Sequence, residues 1–73
     1  MAEVILSVPD LSCEHCERTV RGALSPLEGV RRVTVDLPAK RVRVAYDEGL
    51  VTVDRMKDVL RREEYPVSSS APA

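Results

Sequence analysis

The chain has no tryptophan and no phenylalanine, and Tyr46 and Tyr65 are its only aromatic residues. Recognition of single-stranded nucleic acid draws on aromatic platforms that stack bases, and nothing here can build one. Charge of one sign is missing too. Eleven Lys and Arg stand against twelve Asp and Glu, a formal net charge of −1, so the basic footprint of a nucleic-acid binder is absent. No apolar run approaches the roughly 20 residues that span a bilayer. Nor does the N-terminus read as a secretory signal. It opens Met1-Ala2-Glu3 without a basic region, and the apolar stretch from Val4 to Val8 is short and broken by Ser7. A cytoplasmic, reducing environment is therefore expected. Cysteine is scarce as well, with only Cys13 and Cys16. Small secreted domains stapled by disulfides carry several pairs, and a bridge across so short a loop adds little stability.

What is present is a balanced composition, 44% hydrophobic and 32% charged over 73 residues, enough for one small globular domain. Its hydrophobic pattern alternates between periods of 2 and 3.6. Val4, Leu6 and Val8 share one face of a strand over Glu3–Val8, with Ile5 on the other face, and Pro9 ends it. From Cys13 the period turns helical: Cys13, Cys16, Val20, Ala23, Leu24 and Leu27 form one stripe. Ser12 is the predicted N-cap, Pro26 limits the helix to about residue 25, and Gly29 closes the exit. Val33, Val35 and Leu37, then Val42, Val44 and Tyr46, mark two strands joined near Pro38-Ala39 as an antiparallel hairpin. A second helix begins after Thr52, with Val51 and Met56 placed as a hydrophobic staple and Val53, Met56, Val59 and Leu60 as its buried stripe. The last strand is predicted around Tyr65–Val67, at a sheet edge because Pro66 lacks a donor. Residues 68–73 read as a flexible tail, leaving residues 1–67 as the domain. The order βαββαβ makes an α+β, ferredoxin-like fold: a four-stranded antiparallel sheet with both helices on one face.

That fold serves many purposes, so function must come from the site. Cys13 and Cys16 fall in the first turn of the first helix, near unpaired backbone N–H groups and the positive end of the macrodipole, a setting that favours thiolate. Two soft thiolates suit a soft ion of low coordination number, and Cu(I) fits best. A closed structural zinc site takes four ligands, and one copy of this chain cannot supply them. An incomplete dithiolate near the surface can be invaded by another protein's thiolates and so pass its metal on.

The stretch Asp10-Leu11-Ser12-Cys13-Glu14-His15-Cys16, at the entry to the first helix of βαββαβ, resembles the G-M-x-C-x-x-C motif of the heavy-metal-associated domain family. That family includes small bacterial copper chaperones and the N-terminal domains of copper-transporting P-type ATPases. The resemblance extends up to Val67. It implies Cys13 and Cys16 as metal ligands and Leu11, in the methionine position, as an apolar plug beneath the loop. The family's later G-Y pair corresponds to Glu64-Tyr65, which implies that Tyr65 shields the site. Zinc-preferring relatives carry aspartate where this chain has Ser12, which favours Cu(I). The resemblance further implies transfer to a copper-transporting P-type ATPase or another copper acceptor. The expected state is monomeric when apo, with a metal-bridged dimer open to the loaded form, and with no nucleic acid partner and no insertion into membrane.

Each sharp reading has a plainer rival. Cys13 and Cys16 could be small core residues. His15, between two glutamates, is more simply a solvated side chain than a third ligand. Met56 has the softness to bind copper but sits at core spacing. Asp10, Glu14 and Glu17 are either acids complementing a helix dipole or a docking face for a basic partner. Arg31, Arg32, Arg41 and Arg43 read most simply as the charged outer side of the sheet. Rival functions are a Hg(II), Zn(II) or Cd(II) carrier of the same family and a small dithiol redox protein. The leading reading is a carrier that passes Cu(I) by ligand exchange, not an enzyme.

Overall fold

The computed structural model describes residues 2–73. In chain order it contains β1 (Ala2–Ser7), α1 (Glu14–Leu24), β2 (Val30–Asp36), β3 (Arg41–Tyr46), α2 (Val53–Arg62) and β4 (Ser69–Pro72). The strands form one antiparallel sheet in the order β2-β3-β1-β4. β1 is therefore interior, and the chain leaving it at Val8 emerges at the middle of one sheet edge.

The period-2 residues bury one face of this sheet: Val4 and Leu6 on β1, Val33 on β2, and Val42, Val44 and Tyr46 on β3. Cys16, Val20 and Leu24 of α1 and Met56 and Leu60 of α2 close over that face as one cluster, so both helices lie on the same side. At about 25 cal/mol per Å² of apolar surface removed from water, this cluster is the main favourable term in folding. On the other face Ile5 is half-buried and Arg31, Arg32, Arg41 and Arg43 are exposed, with Arg43 paired to Glu3 at 3.9 Å.

Local signals act where expected at the second helix. Thr52 is its N-cap and its hydroxyl accepts from the Arg55 N–H at 3.1 Å. Val51 and Met56, the two ends of the staple, are both buried. Three expectations need correction. Ser12 is not the N-cap of α1: Cys13 is, in extended conformation and without a side-chain cap bond, because the Ser12 hydroxyl turns to the Cys16 sulfur instead. Tyr65–Val67 is not a strand. The fourth strand lies beyond it at Ser69–Pro72, within the stretch read as a flexible tail, so the folded domain extends past Val67. Pro66 cannot donate to a ladder, and Tyr65 and Val67 pack against the core instead. The strand that follows is exposed along its whole length, so its pairing with β1 is a backbone matter that serine and alanine satisfy.

Candidate metal centre

The chain between β1 and α1 is shaped by backbone bonds before any metal is considered. A turn at Pro9-Asp10 is closed by the Leu11 N–H donating to the Val8 carbonyl at 3.1 Å. Asp10, in the position of the family's first glycine, is not at positive φ, so an ordinary residue meets the backbone requirement there. Leu11 is fully buried and pins the loop from below. Beyond it the chain rises through exposed Ser12 and Cys13 into α1.

Helix geometry then brings the two thiols together. With Cys13 at the N-cap, Cys16 occupies N3, and their sulfurs lie 3.6 Å apart. Both are free thiols, Cys13 exposed and Cys16 buried; the separation is far beyond the roughly 2.05 Å of a disulfide. The Cys16 sulfur also lies 3.6 Å from the Ser12 hydroxyl and donates to the Asp10 carbonyl at 3.9 Å. These surroundings pull the Cys16 thiol from an ordinary 9.0 down to about 6. The Tyr65 hydroxyl contributes most, followed by the Ser12 N–H and the Ser12 hydroxyl, with burial opposing them and the Cys13 thiol adding a little. Tyr65 is in turn pushed up to about 12, chiefly by its interaction with Cys16 and then by burial, so it remains a proton donor at neutral pH.

Tyr65 reaches this place through an unusual helix end. At the end of α2, Glu64 adopts φ 68°. The Tyr65 N–H bonds back to the Leu60 carbonyl at 2.8 Å and the Glu64 N–H to that of Arg61 at 3.0 Å. This is the Schellman pattern, in which the left-handed position is usually glycine. Glutamate costs roughly 1–2 kcal/mol there, while glycine gives back about 0.5–1 kcal/mol in unfolded-chain entropy. Glu64→Gly should therefore stabilise the domain by up to about 1 kcal/mol, raising Tm by a few degrees with Tyr65 still in place. A lower melting temperature in calorimetry would contradict this account of the loop.

The other candidate residues divide clearly. His15 is exposed at N2, and among the described residues no group of three His, Cys, Asp or Glu is arranged to hold a metal ion. Met56 is fully buried in the core. Asp10 and Glu14 are exposed beside the thiols, whereas Glu17 is half-buried and shares its charge with Arg21 at 3.6 Å. The Ser12 hydroxyl is the participant that sequence reasoning placed elsewhere. Its assignment as a cap used up the group that the structure turns toward sulfur.

Fold and site together define a βαββαβ domain that presents a pair of free thiols on the loop into its first helix. Residues 5–66 match the heavy-metal-associated domain, and the chain belongs to that family. It is 40% identical over 67 residues to the copper chaperone CopZ of Staphylococcus haemolyticus, an alignment covering 92% of this chain and 98% of the relative. Among solved structures it is similar to a CopZ metallochaperone, with a TM-score of 0.86, 38% identity and coverage of 89% and 97% of the two chains. It is also similar to a chain in the solution structure of an Atx1–Cu(I)–Ccc2a complex, at a TM-score of 0.81, 28% identity and coverage of 99% and 94%.

Proposed function

We propose that this chain is a cytoplasmic copper chaperone, a carrier and not an enzyme, that holds Cu(I) between Cys13 and Cys16 and passes it to an acceptor protein by thiolate exchange. The observation that carries this reading is the unequal thiol pair: two free sulfurs 3.6 Å apart, one buried and one exposed. Two thiolates suffice for Cu(I), whereas a closed zinc site takes four ligands. Cys16, already thiolate near neutral pH, is the holding ligand. Cys13 faces solvent and gives an incoming thiolate its point of attack, so a three-coordinate intermediate can form and resolve with copper never released as a free ion. Similarity to CopZ chaperones supports the choice of metal. An acceptor of the copper-transporting P-type ATPase class is the corresponding partner, as the heavy-metal-associated family implies and as similarity to a yeast copper transporter domain, 29% identical, supports.

Anaerobic titration with Cu(I) against a strong chelator tests the reading. Wild type should retain one copper per chain or per metal-bridged dimer, and Cys13→Ser/Cys16→Ser should retain none. Equal retention by the two would overturn it. Competition among Cu(I), Zn(II) and Hg(II) in the same format sets this carrier apart from one for another soft or borderline ion.

A further inference from the structure

Charge is not evenly spread over this chain. Arg31, Arg32, Arg41 and Arg43 line one cavity of about 690 Å³ on the sheet face away from the helices. Only two carboxylates, Glu3 and Asp36, line it with them. The whole chain stands at −1, so its excess of acid lies elsewhere. Neither carboxylate neutralises the group. Glu3 meets Arg43 at 3.9 Å between two exposed side chains, a pair worth little, and Asp36 is engaged in its own turn, accepting from the Ala39 N–H at 3.3 Å. Arg31, Arg32 and Arg41 form no ion pair among the described residues.

Edge protection does not account for this concentration. Charges that guard a sheet belong on its edge strands. β2 is such an edge, but β3 lies inside the order β2-β3-β1-β4. Arg41 and Arg43 therefore guard no edge, and gathering them with Arg31 and Arg32 costs repulsion. The backbone adds to the concentration. On β2, Val30 pairs with Tyr46 and Arg32 with Ala45, so Arg31 is an extra residue that β3 does not match. Consecutive residues of a regular strand point to opposite faces. At this bulge both arginines line the same cavity.

We infer that this cavity is a second ligand site, separate from the thiols, and that it binds an oligophosphate, either free or carried by a nucleoside. The inference does not depend on the carrier reading, because no residue of the thiol loop lines the cavity. Its size falls within the roughly 300–1,000 Å³ of small-molecule sites. The guanidinium fork matches phosphate oxygens two at a time. Adjacent strands lie about 4.8 Å apart and alternate residues of one strand about 6.8 Å apart, so a single small anion cannot reach all four arginines, whereas a chain of phosphates can. The exposed Thr34, opposite Arg43, adds a hydroxyl donor. Half-buried Ile5 and Ala45 complete the lining without charge. No aromatic residue lines the cavity to stack a base, so recognition rests on the phosphates.

The test titrates tripolyphosphate, and separately ATP, into the isotope-labelled, reduced apo chain at low salt, followed by NMR. Shifts should saturate at one ligand per chain and centre on Arg32, Thr34 and Arg43. Three chains are compared: wild type, Arg32→Gln/Arg43→Gln, and Arg18→Gln/Arg21→Gln, which loses the same charge from α1 on the opposite side. Thermal melts check that each folds. The sheet variant should bind tripolyphosphate roughly tenfold or more weakly, as the loss of charge-assisted bonds predicts. The helix variant should stay within about twofold of wild type, since its charges are distant and screened. Equal affinity for the two probes identifies a free oligophosphate, and ATP tighter by tenfold identifies a nucleotide; both uphold the site. Equal weakening in the two variants would reduce binding to net charge and overturn it, as would shifts scattered over the surface. Absence of tripolyphosphate binding would also overturn it. If wild type but not the sheet variant then sediments on phosphatidylglycerol vesicles, the arginines serve a membrane surface; if it binds a polyglutamate peptide instead, they serve an acidic protein segment.

Discussion

Leu11→Ala will destabilise the metal-free domain by about 2–5 kcal/mol, the range for emptying a fully enclosed leucine site. Leu11 has no exposed surface and belongs to the cluster that includes Val8, Cys16 and Leu60. Its side chain is what fastens the thiol loop to the helix–sheet core. In a domain whose whole stability is expected to lie near the low end of about 5–15 kcal/mol, such a loss is a large share, and Tm should fall by more than about 10 °C. Leu11→Met restores volume and should cost less than about 1.5 kcal/mol. Methionine is also the residue in the family motif, so the swap separates packing from side-chain identity. Urea denaturation of the three chains gives the comparison. A cost below about 1 kcal/mol for Leu11→Ala would mean that the loop is held by its Val8–Leu11 turn and not by its plug.

Much of this was legible because burial writes itself into sequence. The stripe Cys16, Val20 and Leu24, the alternation Val42, Val44 and Tyr46, and the Thr52 cap each record a side chain that the fold encloses or bonds. β4 left no such record, since Ser69–Pro72 is exposed along its length and its pairing uses only backbone. The shift of the α1 cap from Ser12 to Cys13 was hidden for a different reason. Serine is a good cap wherever it precedes a helical stripe, and only three-dimensional proximity shows that its hydroxyl has a sulfur to turn to. Glu64 was harder still. A left-handed helix end is signalled by glycine or asparagine, and here tertiary packing imposes it on glutamate, so Tyr65 arrives beside Cys16 without the usual punctuation. For the thiols themselves, C-x-x-C indicated two neighbouring ligands, while their inequality required knowing which one the core covers.

That inequality has a pH signature, and Tyr65→Phe should erase much of it. In a Cys13→Ser background, the ultraviolet absorbance of the metal-free chain should report Cys16 ionising near 6, well below its ordinary 9.0. Removing the Tyr65 hydroxyl, the largest contributor to that depression, should move the midpoint upward toward 9. The sign of the linked effect on folding follows. Cys16 ionises more readily in the folded chain than in the unfolded one, so between about 6 and 9 the unfolded state binds the extra proton. Stability of the apo domain therefore rises with pH across that window. The contribution is fully present above the unfolded value and is lost as pH falls through the folded one. Urea midpoints measured across the window should climb for the Tyr65 form and climb less for Tyr65→Phe. Proton competition for the ligand moves with it: Cu(I) retention should begin to weaken at higher pH in Tyr65→Phe than in the chain that keeps Tyr65. An unchanged absorbance midpoint in Tyr65→Phe would assign the low value to the Ser12 N–H and hydroxyl, which stabilise the same thiolate from the other side.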